Sequence, residues 1–198
     1  MTLTTETVTD GSGEPASALE HLAGDFYSFQ DKLNDAERAA IGRLREYFET
    51  EVRPIANDYW ERAEFPMQVI PRLAELGVLG SFVAEVRQFE NSAVYRGWAA
   101  LEMGRVDASV ATFVGVQSGL AMGAIDVGGS PEQRAEWLPK LADASVLGAF
   151  GLTEPYSGSD SARGLRTTAR REGDTWVLNG AKRWIGNATF ADVVVILA

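Results

Sequence analysis

Two short stretches of the chain concentrate side chains able to do chemistry. The first, GLTEPYSGSD from Gly151 to Asp160, combines hydroxyl side chains with two carboxylates, two glycines and a proline. Loops of this composition expose backbone N–H groups that can receive carbonyl oxygens or phosphate. The same composition also describes an ordinary turn capped by Asp and Ser side chains. The second, KRWIGNATFAD from Lys182 to Asp192, sets Trp184 beside Gly186 and the amide of Asn187. An indole there can stack on a planar cofactor, and it equally suits the interior of a sheet. The two stretches flank an Asn179-Gly180 step and can converge at one end of a sheet.

Other chemistries are excluded for these residues. There is no cysteine, so disulfides, thiolate metal sites and a cysteine nucleophile are out. The single histidine, His21, rules out a multi-histidine metal centre, and no metal site is expected. Neither a Walker phosphate loop nor a GxGxxG following a strand occurs. Eighteen basic against 28 acidic side chains give a net charge of −10, which argues against nucleic-acid binding and adhesion to anionic membranes. The first ten residues carry no basic side chain and no apolar core of a signal, so a soluble, cytoplasmic protein is expected.

The elements that must position the two stretches fall into two units. Residues 1–33 read as a flexible tail and 34–144 as a helical domain; 145–198 read as the incomplete first part of a β domain. Ile41, Leu44, Phe48, Val52, Ile55 and Tyr59 recur at helical spacing and predict a helix over Asp35–Tyr59, capped by Asn34 or Asp35 and bent at Pro54. Further helices are expected over Pro66–Leu76, with Gly77 as C-cap, over Ser92–Met103, and over Ala108–Val127. The last approaches the length of a membrane span, but Ser109, Thr112, Gln117 and Ser118 favour the centre of a soluble bundle, with Gly115, Gly119 and Gly123 admitting a close neighbouring helix. Ser130, Pro131 and Gln133 predict a capping box, and Pro139 should end the helix that follows. After Ala144 the pattern turns to strands: Val146–Phe150, Thr167–Arg170, Trp176–Leu178, Lys182–Ile185 and Val193–Leu197. Gly173-Asp174 and Asn179-Gly180 separate them, the latter a good type I′ hairpin signal. The final apolar run VVVILA suggests a portion of a longer protein.

Taken together, FGLTEPYSGSD and GDTWVLNGAKRWIGNATFAD resemble the middle-domain signatures of the acyl-CoA dehydrogenase family. The likeness extends upstream through FPMQVIPRLAELGVLG, LEMGRVDAS and GGSPEQRAEWLPKLAD, and so covers nearly the whole chain from residue 34. The resemblance implies an α+β fold: an all-helical N-terminal domain, a mainly antiparallel β domain of which the first part is here, and a C-terminal helical bundle without counterpart in these residues. It implies FAD as cofactor and α,β-dehydrogenation of an acyl-CoA thioester to the enoyl-CoA, with hydride transfer to flavin N5. It also implies an electron-transfer flavoprotein as partner, or oxygen in an oxidase, and a homo-oligomer, dimeric or tetrameric. By the same likeness Phe150, Leu152, Thr153, Trp184, Ile185 and Gly186 are cofactor-binding positions, and Gly158 and Ser159 lie toward acyl-CoA. The catalytic glutamate is expected beyond Ala198, and Glu154 belongs to a structural TEP pattern.

Three departures qualify the expectation. Many relatives carry a threonine where Gly186 stands, and the WIGN form also resembles a short-chain acyl-CoA oxidase. RVDAS and VQS resemble glutaryl-CoA dehydrogenase, yet Ala111 and Gly115 replace the arginine and serine used there for the distal carboxylate. SFVAEVRQFEN, Ser81 to Asn91, replaces the usual Gly-rich loop, remodelling the acyl pocket or marking a scaffold-like homologue without catalysis.

Overall fold

The computed structural model describes residue 22 and residues 24–158 and 160–198; His21 and Ser159 lie outside the described residues. Within the stretch expected as tail, the Asp25 carboxylate accepts the N–H groups of Phe29 and Gln30 and starts a short 3₁₀ helix, Phe29–Lys32. Helix α1 (Asp35–Tyr47) begins with the Asn34 capping box. Its Glu37 carboxylate also takes the N–H of Ser92, the N-cap of α4 (Ala93–Gly104), so one buried acid serves two helix starts. Burial pushes the Glu37 carboxyl up, but the hydrogen bonds from Ser92 and Asn34 win and hold it below the usual carboxylate range.

The predicted single helix over 35–59 is continuous but changes pitch. A π-helical stretch, Phe48–Val52, joins α1 to α2 (Arg53–Glu61), and the Arg53 N–H reaches back to the Phe48 carbonyl. Pro54 supplies no N–H, and the wider turn just before it absorbs the defect. The next predicted helix starts later than expected: a 3₁₀ turn over Met67–Val69 precedes α3 (Ile70–Glu75), and Gly77, at φ 72°, follows the Leu76 C-cap. α1 and α4 are tied by Glu102, fully buried, which accepts from Arg45 at 2.6 Å and Arg105 at 2.7 Å.

The apolar helix of the sequence runs through α5 (Ala108–Val114), a π-helical stretch over Gly115–Met122, and α6 (Gly123–Gly128). By length and composition it is apolar enough to cross a membrane, but half of its most apolar window is buried inside the fold. Gln117 and Ser118 are wholly buried and hydrogen-bonded across to other segments, as befits a core helix. The expected approach of another helix at its glycines is not found: no heavy atom lies within 4 Å of a Cβ built at Gly115 or Gly119, and at Gly123 only the Ser118 carbonyl, at 4.0 Å. Close approach comes instead at Ala121, against a strand described below. Pro139 does not end its helix: α7 runs Pro131–Ala142. The proline removes one hydrogen bond near the C-terminus, and the fully buried Leu138 and Leu141 hold the last turn by packing.

The β unit contains two pairs. β1 (Gly148–Gly151) runs parallel to β4 (Val193–Ile196), with Phe150 opposite Val195. β2 (Thr168–Glu172) and β3 (Thr175–Asn179) form an antiparallel hairpin closed at Gly173-Asp174, with Gly173 at φ 60°. Thus the hairpin forms at Gly173-Asp174 and not at Asn179-Gly180. Gly180 is pressed against Thr167, where a Cβ would stand 2.6 Å from the Thr167 Cα. The strand expected at Lys182–Ile185 is absent among the described residues, because Trp184 adopts φ 60° and the backbone cannot stay extended.

Candidate functional site

The two stretches singled out by composition meet. The Arg183 N–H donates to the Thr153 carbonyl at 2.9 Å. The Lys182 ammonium reaches the Leu152 carbonyl at 3.1 Å and the Glu154 carboxylate at 2.9 Å. The Asn187 side-chain amide donates to the Gly148 carbonyl at 3.1 Å. Residues 182–187 are therefore laid along the end of β1 and the loop that leaves it.

β1 itself is held from below by the helical unit. Gln117 accepts from the Gly148 N–H at 2.7 Å, and its amide donates to the carbonyls of Leu141 and Val146 at 2.9 and 3.0 Å. The Asp192 carboxylate takes the Leu147 N–H at 2.8 Å. Gly148 has no room for a side chain: a Cβ would lie 2.8 Å from the Ala121 Cβ and 3.1 Å from Leu141 Cδ2. Sequence reading noted Gln117 only as a polar residue in an apolar helix and Asn187 only as an amide near a glycine. The polar Gln117–Ser118 pair within an otherwise apolar run was the available signal.

Glu154 is a structural acid. Its two oxygens accept the N–H groups of Thr167 at 3.0 Å and Arg166 at 2.7 Å, besides the Lys182 ammonium. Hydrogen bonding from Thr167 first and Lys182 second holds its carboxyl at about 2. Each of its oxygens thus already accepts at least one hydrogen bond.

The cofactor positions suggested by sequence occupy one neighbourhood. Phe150 lies in β1; Leu152, Thr153 and Ile185 are half-buried; Gly186 is exposed. Trp184 is 80% exposed, with the Arg183 guanidinium 4.5 Å from its ring centroid. Its indole therefore offers an uncovered face, not a core contact. Gly158 is exposed in the turn after the Glu154–Ser157 bridge, away from these hydrogen bonds. Gly186 abuts the helical unit: a Cβ there would come 3.3 Å from Val116 Cγ2. Phe190 stacks on Phe65 at 5.7 Å, and Phe65 meets Phe113 in a tilted contact at 5.2 Å. These rings border an open cavity of about 400 Å³, lined also by Ser109, Thr112 and Asn187.

The remaining departures can also be placed. Ala111 is half-buried and Gly115 exposed, and neither supplies a charge. The 81–91 segment packs against the α7 side of the helical unit. Val83 and Val86 join Met122, Leu138 and Leu141, Arg134 pairs with Glu85, and the Gln88 amide donates to the Ala74 carbonyl.

Comparison with known proteins agrees with this geometry. Residues 34–145 match the family described as "Acyl-CoA dehydrogenase, N-terminal domain", and residues 149–198 match "Acyl-CoA dehydrogenase, middle domain". The chain is 36% identical over 155 residues to the mitochondrial short-chain specific acyl-CoA dehydrogenase of Mus musculus, covering 78% of this chain and 37% of that protein. It is 35% identical over 156 residues to an acyl-CoA dehydrogenase of Bacillus subtilis (strain 168), covering 78% and 41%. Among solved structures, a glutaryl-CoA dehydrogenase from Mycobacterium smegmatis in complex with FADH2 superposes with a TM-score of 0.78 at 38% identity, covering 86% of this chain and 44% of that one. Butyryl-CoA dehydrogenase from Megasphaera elsdenii gives 0.75 at 27% identity, covering 83% and 44%. The chain thus spans less than half the length of these relatives. With the N-terminal-domain match alone covering more than half of its residues, the chain belongs to the acyl-CoA dehydrogenase family.

Proposed function

We propose that the protein is an FAD-dependent acyl-CoA dehydrogenase, an oxidoreductase that converts an acyl-CoA thioester to its 2,3-enoyl-CoA. The observation that carries the reading is the joining of residues 150–154 to residues 182–187, with the Trp184 indole left largely exposed at that junction. The residues fit a flavin: among the described residues, neither the Thr153 N–H nor its hydroxyl is engaged, and the exposed Trp184 follows directly on Arg183, which is bonded to the Thr153 carbonyl. Bound there, FAD would supply the two-electron acceptor. Leu152 and Thr153 would hold its polar edge, and Trp184 with Ile185 its ring. Gly158 and Ser159 would lie toward the CoA moiety. We assign the proton-abstracting base to none of these residues, since Glu154 is bound by three donors that hold it ionised.

The acyl group we propose lacks a distal carboxylate, because Ala111 and Gly115 offer that carboxylate neither charge nor hydroxyl. Electron-transfer flavoprotein is the proposed acceptor, and the protein is proposed to be cytoplasmic and homo-oligomeric, with no nucleic-acid partner and no membrane insertion. A second reading, oxidation by oxygen, is favoured by Gly186: the position lacks a hydroxyl, and Val116 stands too close for a side chain without adjustment. The test is to purify the full-length protein, measure FAD stoichiometry, and add acyl-CoA anaerobically. One FAD per chain and bleaching of its visible absorbance are expected; a protein that takes up no FAD overturns the proposal. Rapid peroxide formation in air, unaffected by electron-transfer flavoprotein, would decide for the oxidase.

A further inference from the structure

Lys182 does more than neutralise Glu154. Its side chain is only 10% exposed, and the carboxylate it meets already has the N–H groups of Thr167 and Arg166. The same ammonium also sits 3.1 Å from the carbonyl oxygen of Leu152. That carbonyl and the Thr153 N–H are the two ends of one planar peptide group. A cation on the oxygen draws electron density toward it and leaves the N–H a stronger donor, the cooperative effect of linked hydrogen bonds in a low-dielectric setting. Among the described residues the Thr153 N–H has no acceptor, and in a trans peptide it points away from the carbonyl that Lys182 holds.

We propose, resting on the flavin reading above, that Lys182 is a positioning residue that acts through the Leu152–Thr153 peptide, strengthening the Thr153 N–H as a donor to bound FAD and so favouring the reduced cofactor. Glu154 has the opposite influence: it holds Lys182 in place but screens its charge. The two residues of one ion pair should therefore shift the cofactor in opposite directions, which a purely structural pair would not do.

The experiment uses the full-length, FAD-loaded protein and reads the flavin midpoint potential by dye equilibration, with the visible spectrum as a check on occupancy. Lys182→Met is expected to weaken binding of reduced relative to oxidised FAD about tenfold, a fall of about 30 mV for a two-electron couple. Glu154→Gln, which leaves the ammonium on the Leu152 carbonyl without its counter-charge, is expected to shift the potential upward. The double variant, neutral at both positions, keeps an amide oxygen for one of the Thr167 and Arg166 N–H groups and leaves no unpaired buried carboxylate, which guards against misfolding of the single lysine variant; its potential should lie below wild type by less than that of Lys182→Met. Lys182→Arg should recover most of the wild-type value. An FAD-replete double variant with unchanged potential, or single variants that shift in the same direction, would overturn the proposal. A wild-type protein without FAD would instead remove the flavin reading on which it rests.

Discussion

Replacing Gln117 tests whether the helical unit fixes the flavin-side strand. The side chain is wholly buried and spends its whole amide on other segments: the Gly148 N–H at 2.7 Å, the Leu141 carbonyl at 2.9 Å and the Val146 carbonyl at 3.0 Å. Gln117→Leu keeps the volume and orphans these groups. The bonds to Gly148 and Leu141 are fully buried, and each buried group left unsatisfied costs about 1–3 kcal/mol. Roughly 1–2 kcal/mol returns from the apolar side chain, so the net loss should be about 2–3 kcal/mol. Gln117→Glu adds a sign. A carboxylate facing two carbonyls in a buried site has its pKa raised, and in its protonated form it restores one of the two donated bonds. A group raised in the folded state contributes its stability below the unfolded pKa and loses it as pH rises through the folded one. The deficit of Gln117→Glu relative to wild type should therefore be smallest near pH 4 and grow toward pH 8. Urea unfolding across that range, with hydrogen exchange at residues 148–151 and 193–197, measures both effects. A leucine variant within about 0.5 kcal/mol of wild type, or a glutamate deficit independent of pH, would refute the reasoning.

Other expectations follow from the same geometry. Gly148→Ala, whose Cβ would lie 2.8 Å from that of Ala121, should destabilise by about 1–3 kcal/mol, and Ala121→Gly should recover part of the loss in a double-mutant cycle. Glu102→Gln, at a fully buried carboxylate bonded to Arg45 and Arg105, should cost about 3 kcal/mol or more by chemical denaturation. Glu154, held at about 2 against an ordinary 4.5, contributes stability above pH 4.5 that fades as pH falls toward 2. Acid-unfolding curves of Glu154→Gln should be flatter over that window.

Much of this was legible from local pattern. The Asn34 cap, the Ser130 capping box, the apolar stripe of α1 and the strand at Val193 follow from spacing that neighbouring residues alone dictate. What failed depended on tertiary context. Pro139 reads as a stop, but two buried leucines outweigh one missing hydrogen bond. Asn179-Gly180 reads as a hairpin, but the glycine is required by contact with Thr167, twelve residues upstream of Asn179 by way of the β2–β3 pair. Lys182–Ile185 reads as a strand because its side chains suit one, while its backbone is bent by bonds to residues 148–154. Composition permitted the meeting of the two loops without requiring it; the glutamine, asparagine and lysine that make it were not legible, since nothing in their neighbours marks a long-range partner.

The least favourable backbone lies where that long-range bonding is densest. Trp184 and Asn187 both have left-handed φ, 60° and 67°, which for residues other than glycine costs about 1–2 kcal/mol each, somewhat less for asparagine. Neither conformation is supported by a regular strand or helix. Each is pinned instead by a neighbouring bond, the Arg183 N–H on the Thr153 carbonyl and the Asn187 amide on the Gly148 carbonyl. Gly148 is in turn fixed by Gln117 and by the lack of space beside Ala121. The exposure of the Trp184 indole is thus set by a chain of contacts that begins in the π-helical stretch over Gly115–Met122. Loosening that helix should let the 184–187 turn relax toward ordinary backbone and move the exposed indole, although the bonds that link them run through Gln117, Gly148 and Asn187.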